Sequence, residues 1–350
     1  MKILIASDGY HAHYYQRMAW ARAFNACGFQ TAFWDIKATP AFDVFDQFEP
    51  DIFLGQSYNI DQGTMKCIYE RPALKVGLRA GDWGSQTYEI DHGKYNILTL
   101  TRKELDLLKK MKDETGQPEF VHIHYTPEAI EHTHNKFRDI GIKPVSLMMC
   151  ADISEYGGSR FREDLECDLG FVGGFWPYKG QVIKPYLFPL LNPVGAYRVK
   201  IFGNQPWQVN QYCGFASDKS VKDLFLSARI CPNLSEPHAQ AYGFDVNERI
   251  FKVLYSGGFC ISDNVRGYKN VFGDTVPLAG SPEHFKNLVD HYLSSPDERS
   301  TLSKQGHELV KRNHTNIHRA CQILSEFGVE DVAERLIKQY EESLEEGDKQ

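Results

Sequence analysis

Three things are scarce in this chain of 350 residues: paired cysteines, long apolar runs and an excess of positive charge. The eight cysteines (Cys27, Cys67, Cys150, Cys167, Cys213, Cys231, Cys260 and Cys321) form no C-x-x-C pair and are spread through apolar segments. In a chain long enough to bury its own cores they read as reduced, mostly buried thiols, not as a disulfide framework or a structural zinc site. The strongly apolar stretches, such as Val145 to Ala151, fall far short of the ~20 residues that span a bilayer. The start, Met1 to Ala6, meets Asp8 too soon for the apolar core of a secretion signal. The expectation is a cytoplasmic protein without a membrane span. With 39 basic and 46 acidic residues the net charge is −7, so nothing draws the whole molecule to nucleic acid.

Several chemical signatures are missing as well. No G-x-G-x-x-G follows a strand, which disfavours a standard dinucleotide oxidoreductase, and no G-x-x-x-x-G-K-[ST] is present for P-loop phosphoryl transfer. H-E-x-x-H and G-x-S-x-G are also absent. There is no repeat at 20–50 residues and no low-complexity tract. What remains is ordinary globular composition, 42% hydrophobic and 24% charged, in a length that predicts about two domains.

Short apolar runs alternate with helical patterns. In the first half, Lys2–Ala6, Thr31–Trp34, Asp51–Gly55, Lys75–Ala80 and Asn96–Leu100 read as strands, and Tyr14–Cys27 (capped by Gly28), Phe42–Phe48 and Lys103–Lys112 as helices. In the second half, Leu169–Val172, Arg198–Gly203 and Phe259–Asp263 read as strands. Val221–Ala228, Asn247–Tyr255, Pro282–Leu293, Asp297–Arg312 and the striped tail Val329–Leu344 read as helices. The pattern predicts two doubly wound, Rossmann-like α/β halves joined around residues 145–168, at the turn-like Tyr156-Gly157-Gly158-Ser159. Such halves bind ligands at the carboxyl ends of their strands, so a shared cleft is expected.

The most informative stretch is Asn247-Glu248-Arg249-Ile250-Phe251-Lys252-Val253-Leu254-Tyr255-Ser256-Gly257-Gly258-Phe259-Cys260-Ile261-Ser262-Asp263. It resembles the nucleotide-sugar-binding motif of two-domain (GT-B) glycosyltransferases, in the form R-I-F-E-A-L-A-x-G-G-F-x-x-x-D of the CgeB-like, spore-maturation-type family 1 enzymes. The flank His314-Thr315-Asn316-Ile317-His318-Arg319-Ala320 is similar to the H-T-x-x-H-R-A that closes the same domain. With Leu169–Gly174, the likeness spans about residues 165–325. The first half matches by architecture, with a weaker similarity to phage DNA β-glucosyltransferases.

The resemblance implies a GT-B fold with an acceptor domain over 1–160, a nucleotide-sugar-binding domain over 161–325 and a helix over 326–350 packed back on the first domain. It implies transfer of a sugar from a nucleotide sugar, a UDP-sugar first among candidates, to a hydroxyl acceptor. No metal or other cofactor is required. Gly173 and Gly174, Lys179, Asn247, Arg249 and Lys252 are the expected donor-binding set, with Phe215 against the base. Lys252 stands where the family carries a ribose-gripping glutamate. A lysine cannot accept those hydrogen bonds, so Glu248 or Asp263 takes that role or the donor is held differently.

Asp82, delivered by the strand Lys75–Ala80, is the expected general base, with His11 (or His13) in reserve. Asp152 matches an A-D pair of the family, and Trp83 and Trp176 suit sugar stacking. His122, His124, His132 and His134 read as structural more readily than as a metal site. Three rivals stand beside this reading: a nucleotide-sugar 2-epimerase, a non-catalytic sugar-binding or surface-assembly protein, and a phage-type enzyme glycosylating modified DNA bases. The last would use a basic strip of Arg102, Lys103, Lys109, Lys110 and Lys112.

Overall fold

The computed structural model describes residues 1–7, 12–81 and 97–347. Contacts divide the chain into two units, residues 1–148 with 316–350, and residues 149–315. Against the expected boundaries, 149–160 group with the second unit and 316–325 with the first.

In the first unit, β1 (Lys2–Ser7), β2 (Gln30–Asp35), β3 (Ile52–Gln56), β4 (Lys75–Arg79), β5 (Phe120–Ile123) and β6 (Lys143–Ser146) form one parallel sheet in the order 2-1-3-4-5-6. Ile3, Leu4 and Ile5 are wholly buried. A strand with no exposed face reads as an unbroken apolar run, which is why β1 is legible in sequence. The helices α1 (Ala12–Ala26), α2 (Ala41–Phe48), α3 (Gln62–Tyr69) and α4 (Ile97–Thr115) supply the crossovers. Phe45 meets Phe53 and Trp34 edge-on at 5.2 and 5.9 Å, tying α2 to the sheet.

One expected strand is corrected. Residues 97–100 open α4 and pair with no strand, and Asn96 lies outside the described residues. Five residues are too few for periodicity to separate strand from helix. The pattern of the following turns, with Leu108 and Met111 buried, extends backwards through them. The sheet positions beyond β4 belong to β5 and β6, whose short, polar-flanked runs give weak sequence signals.

In the second unit, α5 (Ile153–Tyr156) precedes β7 (Cys167–Val172), α6 (Pro177–Leu191), β8 (Val199–Phe202), α7 (Asp218–Ser227), β9 (Ala228–Asn233), α8 (Pro237–Tyr242), α9 (Glu248–Tyr255), β10 (Cys260–Asp263), α10 (Tyr268–Phe272) and β11 (Leu278–Ala279). The helices α11 (Pro282–Ser294) and α12 (Pro296–Asn313) end it. The sheet is parallel, in the order 11-10-9-7-8, so strand order reverses between β7 and β9. Asp152 is buried as the N-cap of α5, accepting from Ser154 N at 3.0 Å and Ser154 Oγ at 2.7 Å, a structural use of that carboxylate. The Gly157–Ser159 turn is docked on α7, where Lys222 Nζ donates to Gly157 O at 2.5 Å and Asp223 Oδ1 accepts from Arg160 N at 2.9 Å.

After the second unit, α13 (Asn316–Glu326) and α14 (Glu330–Gly347) return to the first. Asn316 Nδ2 donates to Ala19 O on α1 at 2.9 Å, and Arg319 Nε to Met148 O at 2.7 Å. The apolar stripe of α14 is buried at Ala333, Leu336 and Tyr340. Among the described residues, no helix is long and apolar enough to cross a membrane, and no three His, Cys, Asp or Glu side chains cluster as metal ligands.

Candidate functional site

The switch point of the second sheet is where backbone loops of two strands part, and polar groups converge there. Val172 ends β7 and Asn233 ends β9. Arg249, in the first turn of α9, reaches across both: Nε donates to Val172 O at 2.9 Å and Nη1 to Asn233 Oδ1 at 3.4 Å. Its guanidinium lies 4.7 Å from the Phe171 ring centre. Asn233, not anticipated from sequence, is wholly buried and held by its own donation to Ser262 Oγ at 2.9 Å.

Lys179, in the first turn of α6, comes to the same place, with Nζ 4.8 Å from the Trp176 ring centre. A Cβ on Gly173 would sit 3.0 Å from Arg249 Nη2 and 3.5 Å from Lys179 Nζ, so both cations approach the backbone of that turn. Burial, and then the neighbouring Arg249 charge, push the Lys179 ammonium down from its ordinary 10.5 to about 7, against a pull upward from Glu236. Burial likewise lowers Arg249, without removing its charge. Among the described residues, no carboxylate ion-pairs with either side chain. Two adjacent, largely buried basic side chains without an ion-pair partner among the described residues are suited by their chemistry to an anion.

The rest of the expected donor set surrounds this pair. Gly173 N donates to Phe202 O at 2.8 Å, and Trp207 Nε1 donates to Gly173 O at 2.9 Å, which fixes the turn. Gly203 packs so closely that a Cβ there would lie 2.4 Å from Gly173 O. Gly203→Ala must push two backbones apart, at a cost of about 1–3 kcal/mol. The expected result is a lower urea midpoint together with weaker nucleotide binding; an unchanged midpoint would show that the turn gives freely. Gly203 N also donates to Gly214 O at 3.0 Å, so the 213–216 loop borders the same turn. Phe215 on that loop is 74% exposed, an apolar ring open to a ligand. Asn247 is the N-cap residue of α9, yet its side chain makes no cap hydrogen bond, and its Oδ1 is buried without a partner among the described residues.

Lys252 is placed elsewhere. Its Nζ lies 2.5 Å from Glu248 Oε1 and 5.1 Å from the Tyr156 ring centre. Burial acts to lower its pKa, but Glu248 and Tyr156 outweigh that and hold it above the ordinary value. Its charge is matched by Glu248, so neither residue of the pair stands as the free acid or the free cation that sequence suggested. Asp263 is also engaged. It accepts from Ser235 N and Oγ, Gln240 Nε2 at 2.7 Å and Ser262 Oγ, which joins the ends of β9 and β10 to α8.

Asp82, His11 and Trp83 lie outside the described residues. Gly81, next to Asp82 and following the carboxyl end of β4, is held on both polar atoms: its N donates to Glu104 Oε1 at 2.8 Å, and its O lies 3.1 Å from His134 Nε2. His13 and His124 meet at 4.9 Å between ring centres. His122 is buried against Trp20, and burial and the nearby Arg79 hold it well below the ordinary range, a core histidine. The basic strip on α4 is largely committed. Lys109 pairs with Asp113 at 2.7 Å, Lys110 with Glu114 at 3.8 Å, and Lys112 donates to Gly116 O at the helix end.

Residues 188–325 match the family model described as glycosyl transferase-like. No curated protein matches the chain. Among solved structures, sucrose-phosphate synthase from Thermosynechococcus elongatus is similar at TM-score 0.65 and 11% identity, over 93% of this chain and 98% of that one. HepE of Anabaena, solved in complex with UDP, follows at TM-score 0.62 and 11% identity, over 94% and 100%. T4 phage BGT, solved with its UDP-glucose substrate, gives TM-score 0.54 and 12% identity, over 96% and 99%. Arg249 lies within the matched residues while Gly173 and Lys179 precede them, and the two parallel α/β units are the fold of these neighbours. The chain has the two-unit GT-B fold of these glycosyltransferase neighbours, and its residues 188–325 are glycosyl transferase-like.

Proposed function

We propose that the donor is a UDP-sugar whose diphosphate is held by Lys179, Arg249 and the Gly173-Gly174 turn, and that the sugar passes to a hydroxyl acceptor. One observation carries this reading: a buried pair of cations without a carboxylate partner among the described residues, at the switch point of the second sheet. The UDP preference draws on the neighbours solved with UDP and UDP-glucose. In the transfer the acceptor hydroxyl loses its proton to a base and its oxygen bonds to the anomeric carbon. The bond from that carbon to the diphosphate oxygen breaks, and the electron pair leaves with the nucleoside diphosphate. Negative charge grows on the leaving group, and the cations stabilise it there. Phe215 offers its ring to the base, and the Asn247 Oδ1 accepts from a donor hydroxyl.

In this reading Asp82 is the base, giving inversion at the anomeric carbon. The fixed Gly81 supports it, because both polar atoms of the preceding residue are tethered. Asp82→Asn should leave UDP affinity unchanged and lower transfer by about 10²–10⁴-fold, the usual worth of a general base. Retained turnover would reject the assignment, and the same assay on His11→Ala then tests the alternative. The family match favours transfer over epimerisation. The free thiols of all eight cysteines support a reducing, cytoplasmic setting. The ion-paired lysines of α4 and the net charge of −7 weigh against a DNA acceptor.

A further inference from the structure

The second unit has a pocket of about 660 Å³ away from the site just described. It lies where α12 faces the end of α9 and the Gly157–Ser159 turn. Ser256 and Gly257 precede β10, so this pocket opens at the amino end of the sheet, whereas Val172 and Asn233 are at carboxyl ends. The eight residues of α9 separate the two regions by about 12 Å at 1.5 Å per residue.

Its polar groups are unbalanced in one direction. Lys304, His307 and Lys311 stand at i, i+3 and i+7 on α12 and line one wall. Among the described residues Glu308 is the only carboxylate lining it, and Glu308 is shared between Lys311 at 3.7 Å and Arg312 at 3.2 Å. Lys304 has no ion-pair partner among the described residues. Ser256 on the floor is only 4% exposed, and its Oγ makes no hydrogen bond among the described residues. Such a buried hydroxyl costs about 1–3 kcal/mol unless something completes it.

These groups are not needed to close α9. Its last carbonyls are already satisfied: Leu254 O accepts from Gly257 N at 3.0 Å and lies 3.2 Å from His307 Nδ1, and Val253 O accepts from Gly258 N at 2.9 Å. Gly257 O accepts from Ser303 Oγ at 2.6 Å. The pocket size is that of small-molecule sites.

We propose that this pocket is a second anion site that takes a small phosphate monoester, its phosphate met by Lys304, Lys311 and the Ser256 hydroxyl and its body resting against Tyr255. The test uses the full chain carrying Arg249→Ala, so that the donor site does not answer, and titrates it calorimetrically with inorganic phosphate and with a hexose 6-phosphate. Saturable binding is expected, tighter for the ester than for the free ion. Adding Lys304→Glu, at an exposed position of α12, should weaken it at least about tenfold while the urea midpoint stays close to that of the parent. Ser256→Ala provides an independent variant, expected to weaken the ester by about three- to tenfold. Absence of saturable binding by either probe would overturn the proposal. So would binding that the charge-reversed variant leaves intact, and so would equal affinity for both probes, which marks a bare ion on surface lysines.

Discussion

Arg249→Ala should weaken UDP binding by about a hundredfold. The guanidinium is fixed before ligand arrives, by Val172 O and Asn233 Oδ1, so its remaining N–H groups meet a phosphate at little cost in ordering. Hydrogen bonds between charged partners are worth about 1.5–3 kcal/mol each, and about 2.7 kcal/mol is a factor of a hundred. Arg249→Lys keeps the charge but loses the fork that spans two strands, and should recover only a small part of the affinity. Stability should respond differently from binding. The alanine leaves two buried acceptors without their donor, yet it also removes a charge that presses on Lys179. Titration calorimetry with UDP reads the first effect and a urea midpoint the second. Affinity within threefold of the parent would take Arg249 out of the site.

The second large effect is a pH dependence located in Lys179. Burial and the Arg249 charge bring this lysine to about 7 in the folded protein, against 10.5 ordinarily. Above pH 7 the free protein therefore holds it neutral. A bound diphosphate favours the ammonium, so binding takes up a proton there, and UDP affinity should fall by up to about tenfold per pH unit as pH rises from about 7. Stability of the free protein moves the opposite way. The unfolded chain keeps the proton up to about 10.5, while the folded chain releases it near 7, so the burden of the buried charge is complete below pH 7 and lifts as pH climbs between those values. Lys179→Arg, whose side chain stays charged throughout, should flatten the pH profile of binding. Lys179→Met should bind UDP poorly at every pH and raise the melting temperature of the free protein below pH 7. A profile that keeps its slope in the arginine variant would place the titrating group elsewhere.

Much of the fold was legible because of how parallel sheets are built. Strands covered on both faces are unbroken apolar runs, and Lys2–Ala6, Asp51–Gly55 and Leu169–Val172 stand out for that reason. The strand expected at Asn96–Leu100 did not form, because a run so short carries no period of its own and the helical turns after it prevailed. Of the expected donor set, Arg249, Lys179 and Gly173 lie close together in space, since each sits beside a strand end or in the first turn of a helix, where local pattern fixes both spacing and direction. Asn233 was missed. It ends a strand in Cys231-Pro232-Asn233, with no turn glycine or motif to single it out, and only the neighbouring strand shows what it holds.

Two parallel α/β units, and an arginine at a helix start, could be read from local pattern alone, because periodicity and capping are local. The sequence by itself could not decide what Lys252 does. By position it is a cation where an acid is expected, but Glu248 one turn earlier and Tyr156 from a distant helix claim its charge. Nor could it show that the Lys179 ammonium is pushed down to about 7, since that follows from burial beside a second cation seventy residues along the chain. Electrostatics of this kind is decided by distance in space, and only the tertiary structure supplies it.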